Sequence, residues 1–328
     1  VVFLFRDKSI INIFFLVILS IGVHLHFFVH APLVYFNSND GVFSTLLKQY
    51  VAGLPDTVLF VMYHMVVLVQ AIRLNMVLND HRMFQQNSYT TAMAYIMLSG
   101  MLTQWCSLSS ALMANFLLMW LFIKLSRLYN HPSPKTLLFN TGLIVGLTVV
   151  CYHPTAILIL VVMFALAVVR PFHLAEWLVL LMGILLPYYF LFSWLFVTDR
   201  TSQFSSFLPS LQLTLPLPHW SAPLIVSLSV LFIIMMAGLY YWQLSSSRII
   251  IQIRKNWGVM AVMLFILLPI PFLFLHAGIE SGWLALVPLG SFAGIAFAYP
   301  RRLLFPNILF WLAAAIIIYN NWWFMFKN

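Results

Sequence analysis

Charge is what this chain has least of. Of its 328 residues only 7% are Asp, Glu, Lys or Arg, and just seven are acidic. A soluble domain carries about 25% charged residues, so a water-facing surface of ordinary extent is excluded. Cysteine is nearly absent too. Cys106 and Cys151 are the two present, and they read as small apolar residues rather than as a disulfide framework. No His-Glu-x-x-His and no Cys-x-x-Cys occurs, which removes the usual zinc patterns. With so few charges there is no room for a separate soluble domain, and residues 1–328 are expected to form one membrane domain.

What is present is apolar: 63% of residues are hydrophobic and the mean hydropathy is +1.00. A hydrocarbon core about 30 Å thick takes ~20 helical residues to cross. Breaking the chain at proline, glycine and charge leaves eleven expected spans. They are about Ile10–Val29, Thr57–Val77, Tyr89–Trp105, Leu108–Leu128, Thr136–Val150, Thr155–Val169, Glu176–Val197, Leu224–Leu244, Trp257–Leu275, Trp283–Tyr299 and Pro306–Asn320. The expected fold is an all-α polytopic bundle. The first run follows Arg6-Asp7-Lys8 and no small-x-small site follows it, so it reads as a retained signal-anchor helix.

Two long polar segments interrupt the apolar runs, residues 30–56 and 198–222. Within the first, Val42, Phe43, Leu46, Leu47 and Tyr50 recur at helical spacing over Gly41–Ala52. That pattern predicts a helix lying in the interface, with Lys48 and Gln49 toward water. The second segment sets Pro209, Pro216, Pro218 and Pro223 beside apolar residues and is expected to pack on the bundle.

Orientation follows from the basic residues. With the N-terminus in the cytoplasm and the C-terminus outside, all but Lys48, Arg200 and Lys327 of the sixteen Lys and Arg fall inside. This is the positive-inside pattern of an inner, cytoplasmic bacterial membrane. The net charge of +9 is therefore a topology signal. The bilayer is the partner it implies, and nucleic acid is not.

On the outer face this topology gathers Asp40, Asp56, Asp199 and Glu280, with His24, His26, His30, His153, His219 and His276. Acids and histidines at a membrane border are costly unless solvated or paired, so their clustering marks a candidate site. Asp40 stands at the head of the expected interfacial helix. It suits an N-cap. It equally suits a carboxylate held at the boundary as a general base, or one holding a divalent cation against a phosphate. His26 and His30 are four apart on one helical face, the spacing of two ligands to one ion. His24 points elsewhere, which leaves the pair a weak metal candidate.

The run N-D-G-V-F-S-T-L-L-K-Q-Y, from Asn39, resembles the first outer loop of C-type (GT-C) glycosyltransferases, where Asp-Glu-x-x-aromatic leads into an apolar helix. Asp40 and Phe43 match, and Gly41 replaces the second acid. Leu137–Leu160, with Gly142 and Gly146 in a G-x-x-x-G face and Pro154-Thr155 beyond, is similar to a glycine-spaced hairpin of those enzymes. The likeness covers about residues 10–200, with residues 201–328 as added C-terminal helices. The whole chain also resembles a family of inner-membrane proteins from Bacteroidota, partly through Trp177–Pro187, which implies location but no activity. The GT-C resemblance implies transfer of a sugar or related group from a polyprenyl-phosphate donor. Asp40 would be the base and Arg200 the phosphate contact, supported by Lys48, His153 and His219. Two other classes stay open: a lipid or solute transporter, and a non-catalytic subunit of an envelope assembly.

Overall fold

The computed structural model describes residues 1–7, 9–37, 40–129, 131–209, 221–246, 249–274 and 277–326, with side chains through 321. The chain opens with α1 (Val2–Arg6), α2 (Ile11–Val23), β1 (Leu33–Tyr35) and α3 (Val42–Leu46), which continues as one π-helical turn, Leu47–Val51. Then come α4 (Asp56–Asp80), α5 (Thr90–Ser99), β2 (Ser107–Ser109), α6 (Ser110–Ser126) and α7 (Pro134–Cys151). The second half holds α8 (Leu158–Val169), α9 (Leu174–Val197), α10 (Ala222–Ser246), α11 (Ile251–Leu267), α12 (Ile270–Leu273), α13 (Leu286–Ala298) and α14 (Leu304–Phe326).

Every expected apolar stretch contains a helix. Seven of the helical runs are long and apolar enough to cross a membrane. The other four, at Ile11–Val23, Thr90–Ser99, Ser110–Ser126 and His153–Val169, are shorter. Two of them stop earlier than expected for a visible reason. After Val23 the chain tightens into a 3-10 turn, Leu25–Phe28, and buries His24. At the end of α5, Gly100 has no Cβ, and the Val23 side chain occupies that space. The two helix ends thus lock into each other. The expected tight hairpin between the third and fourth spans is opened by a 3-10 turn, Thr103–Trp105, and by β2. The strand β2 pairs in parallel with β1, with Tyr35 opposite Ser109.

The segment Ile279–Ala298, a 3-10 turn running into α13, is enclosed on nearly all sides. It packs chiefly against α5 and α10. Polar side chains cross-link this apolar centre. Tyr95 Oη donates to Gln70 Oε1 at 2.7 Å, and Asn115 Nδ2 donates to Tyr95 Oη at 3.1 Å and to the Trp283 carbonyl at 2.8 Å. Gln70 Nε2 donates to the Leu112 carbonyl at 2.7 Å. A buried polar group without a partner costs free energy in an apolar medium; here each of these links two helices instead.

α7 and α9 lie in contact along their lengths. Gly142 meets Gly183 and Ile184, and Gly146 meets Ile184 and Pro187. Both numbers rise together, so the helices run parallel. The small residues let two backbones touch, the packing mode of a G-x-x-x-G face.

Basic side chains close helix C-termini at one end of the bundle. Arg6 donates to the Phe297 carbonyl, Lys255 Nζ to the Val169 carbonyl at 2.9 Å, and Arg170 to the Leu128 carbonyl at 3.4 Å. Cations at these carbonyls also complement the helix dipole. The opposite end holds Asp40.

Candidate functional site

Asp40 does not cap a helix. The N-cap of α3 is Gly41, with φ +107°, and no side chain caps that turn. The reason lies in the neighbouring chain. A Cβ at Gly41 would stand 2.7 Å from the Cys151 carbonyl oxygen and 2.8 Å from that of Val150. The loop therefore lies directly on the C-terminus of α7, which only glycine permits. The His153 amide then donates to the Asp40 carbonyl at 3.0 Å, fastening the loop to the turn after α7. Ser44 Oγ, from α3, donates to the Asn37 carbonyl.

This seat leaves Asp40 buried, with 5% of the residue exposed. Its carboxyl makes no hydrogen bond or ion pair among the described residues. Burial, and then the charge of Glu280, push its pKa up to about 7. Glu280 arrives from the far end of the sequence, in the 3-10 turn Ile279–Ala285. Trp105 holds that turn in place, donating from Nε1 to the Ile279 carbonyl at 3.0 Å. The Trp105 carbonyl in turn accepts from Tyr63 Oη and Trp283 Nε1, each at 3.1 Å. Tyr35 and Tyr152 complete the cluster. Burial raises the pKa of both phenols, and the charges of Glu280 and Asp40 add to it. Asp40 thus feels the charge of Glu280, and no Lys or Arg is among the charges that shift its pKa.

A cleft of about 460 Å³ opens beside this cluster, lined by Tyr35, Phe36, Asn37, Ser44, Thr45 and Lys48. Lys48 reaches over the Phe36 ring at 6.0 Å. Lys48, Gln49 and Tyr50 are exposed, whereas Ser44 and Leu47 face the bundle. An apolar cavity of about 470 Å³ borders the turn that carries Glu280. Trp105, Ile279, Gly282, Leu228, Phe232 and Phe265 are among its walls.

Of the residues singled out in the sequence, the structure brings together Asp40 and His153, with Lys48 in the adjoining cleft. Arg200 is at the same end but set apart. The parallel register of α7 and α9 puts Cys151 level with about residue 192, so α9 rises ~8 Å further before it ends. Arg200 follows Asp199, which has φ +54°, and is exposed, making no ion pair among the described residues. His219 lies outside the described residues, as do His276 and Lys327.

The histidines near α2 form an aromatic cluster. His24 Nδ1 bonds to the Ser20 carbonyl at 3.0 Å and Nε2 to Tyr63 Oη at 3.2 Å. His26 lies tilted against Phe27 with ring centroids 4.4 Å apart, and His30 is exposed. Among the described residues no three His, Cys, Asp or Glu side chains converge to hold a metal ion.

Sequence reasoning missed Glu280 as the partner of Asp40, and Tyr35 and Tyr152 altogether. Glu280 carried one usable signal: it is an acid two residues after a glycine and three before the tryptophan at the head of an expected span. Compared with known proteins, the chain matches no family model and no curated protein.

Proposed function

We propose that this protein is a GT-C-like membrane transferase. It moves a sugar or related group from a polyprenyl-phosphate donor, at the outer face of a bacterial inner membrane, with eleven spans and the N-terminus inside. The observation that carries the reading is Asp40: buried, without a hydrogen bond or ion pair to its carboxyl among the described residues, and held near neutral pKa by burial and the charge of Glu280. A base is most effective when its pKa lies near the working pH. Asp40 takes the proton of the acceptor hydroxyl as that oxygen attacks the donor's sugar carbon and the donor phosphate leaves.

Glu280 supplies the second acid that Gly41 displaces from the loop. Lys48, in the cleft beside Tyr35, meets an anionic part of the substrate. Arg200, standing beyond the end of α9, approaches the donor phosphate when a substrate spans the gap, since a guanidinium pairs a phosphate bidentately. The apolar cavity against Ile279 and Gly282 offers the donor's isoprenoid tail a place along the turn that carries Glu280. A divalent cation fits this site only as a bound guest of Asp40, Glu280 and substrate phosphate, because the protein alone offers too few ligands.

The test is turnover. The purified chain is reconstituted in liposomes with polyprenyl-phosphate-linked sugars, and release of the free polyprenyl phosphate is measured. Wild-type protein is expected to release it, and Asp40→Asn to lose about 10²–10⁴-fold while melting as a folded protein. Undiminished activity in Asp40→Asn would overturn the role of Asp40. Failure of every donor to bind would overturn the substrate class.

A further inference from the structure

The far end of α13 carries a second polar cavity, remote from Asp40. Glu280 precedes α13, whereas this cavity sits where α13 ends and α14 begins, with α13 alone about 20 Å long between them. It measures about 810 Å³, and its polar walls include Arg6, Arg301, Arg302, Gln85, Ser88 and Tyr299. Among the described residues no acidic side chain lines it.

Arg6 is built into the wall. Its Nε and Nη2 donate to the Phe297 carbonyl at 3.1 and 2.8 Å, and Nη2 also donates to the Pro300 carbonyl at 2.9 Å. These bonds satisfy one carbonyl in the last turn of α13 and that of Pro300 just beyond it, and fix the plane of the guanidinium. Nη1 has no hydrogen-bond partner among the described residues. Arg301 and Arg302 form the turn after Pro300 and are exposed. The one ion pair among the described residues joins Arg170 to Glu176, so neither of these arginines is neutralised by an acid. The 23-residue helix α14 starts directly after them and directs its positive end the same way.

Leu244 and Phe305 also line this cavity, and they are 58% and 38% exposed. Cation and exposed apolar surface thus meet at one mouth, as they must where a phosphate sits above hydrocarbon. A topology signal requires arginines on one side of the membrane. It does not require a cavity, nor a guanidinium locked into its wall with one nitrogen free. Basic pockets between membrane helices are suited to anionic lipid head groups.

We propose that this cavity binds the phosphate head group of an anionic membrane phospholipid. Arg6 Nη1, Arg301 and Arg302 hold the phosphate, and the acyl chains run over Leu244 and Phe305. The site is independent of the transferase reading and stands or falls separately.

The experiment uses the full chain in phosphatidylcholine nanodiscs, with and without phosphatidylglycerol. Native mass spectrometry counts retained lipid, and thermal melting reports stability. Phosphatidylglycerol is expected to be retained selectively and to raise Tm. The pair Arg301→Gln/Arg302→Gln is expected to weaken retention about 10-fold, with Tm in pure phosphatidylcholine unchanged. Should that pair lower Tm in phosphatidylcholine, Arg301→Lys/Arg302→Lys carries the comparison: it keeps the charge, loses the planar fork, and is expected to retain less lipid than wild type. Equal retention of the two lipids by wild type overturns the proposal. So does retention that neither pair alters, and so does protection by glycerol 3-phosphate that equals protection by the lipid.

Discussion

Asp40 and Glu280 act on each other electrostatically although they come from opposite ends of the chain. Two devices bring them together. Gly41 seats the first loop on the carbonyls of Val150 and Cys151. Trp105 ties the turn before α13 to the end of the α5 segment. Neither device contains a charge, yet together they create a carboxyl whose ionisation falls in the neutral range.

Asp40 gives the protein a pH dependence whose sign follows from its environment. Burial and Glu280 raise its folded-state pKa from the usual carboxylate range to about 7. The folded protein therefore binds that proton more tightly than the unfolded chain. The resulting stability is fully present below the unfolded value and is lost as pH rises through about 7. Asp40→Asn removes the dependence. It is expected to melt with wild type at about pH 4 and above wild type at about pH 9, where ionised Asp40 is a burden. Melting curves across pH decide this; a variant that is less stable than wild type at high pH would contradict it.

Glu280→Gln deletes a like charge beside Asp40. The ionisation of Asp40 then moves to lower pH but stays raised, because burial is the larger cause. In turnover assays the rising limb of the pH–rate profile is expected to shift toward acid. Where no turnover is followed, carbodiimide labelling of Asp40 against pH gives the same reading. An unmoved profile would mean that Glu280 does not act on Asp40.

The helices were legible and the site was only half so. Length and apolarity mark each of the eleven stretches, and α4, α7 and α9 begin and end within two or three residues of where proline and charge place them. The third stretch falls short because its limit is a packing event, Val23 entering the space at Gly100, which no local pattern encodes. Asp40 was visible as an acid in a polar loop. Its capping role was not excluded by sequence, since Asp before a helix is the common cap; only the seat of Gly41 on α7 displaces it. Glu280 and Asp40 could not be paired from the sequence, because their electrostatic coupling arises from tertiary packing across most of the chain.

Gly41→Ala tests that seat. The new Cβ meets two backbone oxygens, and φ +107° is a conformation that L side chains rarely adopt. Strain of this kind costs about 1–3 kcal/mol. The variant is expected to lose stability, and to lose turnover through displacement of Asp40. Gly22→Ala is the control. It lies in α2 with nothing within 4 Å of its Cβ position, and alanine is the better helix former by about 1 kcal/mol. Equal behaviour of the two variants would show that the loop does not rest on α7.

Trp105→Phe keeps an aromatic ring but removes the indole donor to Ile279 and the part of the indole that packs against Gly282. One neutral hydrogen bond is worth about 0.5–1.5 kcal/mol net, and the void left by the smaller ring adds to that loss. The effect on the turn that carries Glu280 should be larger than the effect on the bundle. Hydrogen exchange at Ile279–Ala285 is expected to rise while α13 stays protected, and the Asp40 profile should move toward that of Glu280→Gln. Uniform loss of protection through α13 would assign Trp105 to the core instead.

Gly142→Val tests whether α7, on whose C-terminus the Asp40 loop rests, is itself positioned by α9. A Cβ at Gly142 approaches the Ile184 amide nitrogen at 3.0 Å and the Gly183 Cα at 3.1 Å. These are backbone atoms of a 24-residue helix, so no side-chain rotation relieves the clash and the helices must separate. Overpacking of this kind costs about 1–3 kcal/mol. Gly258→Ala in α11 provides the comparison, since its nearest neighbour is a Val168 methyl at an ordinary 3.7 Å. Gly142→Val is expected to lower Tm and weaken turnover together, because moving α7 moves Gly41 and with it Asp40. If Tm falls while turnover per folded molecule holds, the loop is anchored by its contacts to β2 and not by the end of α7.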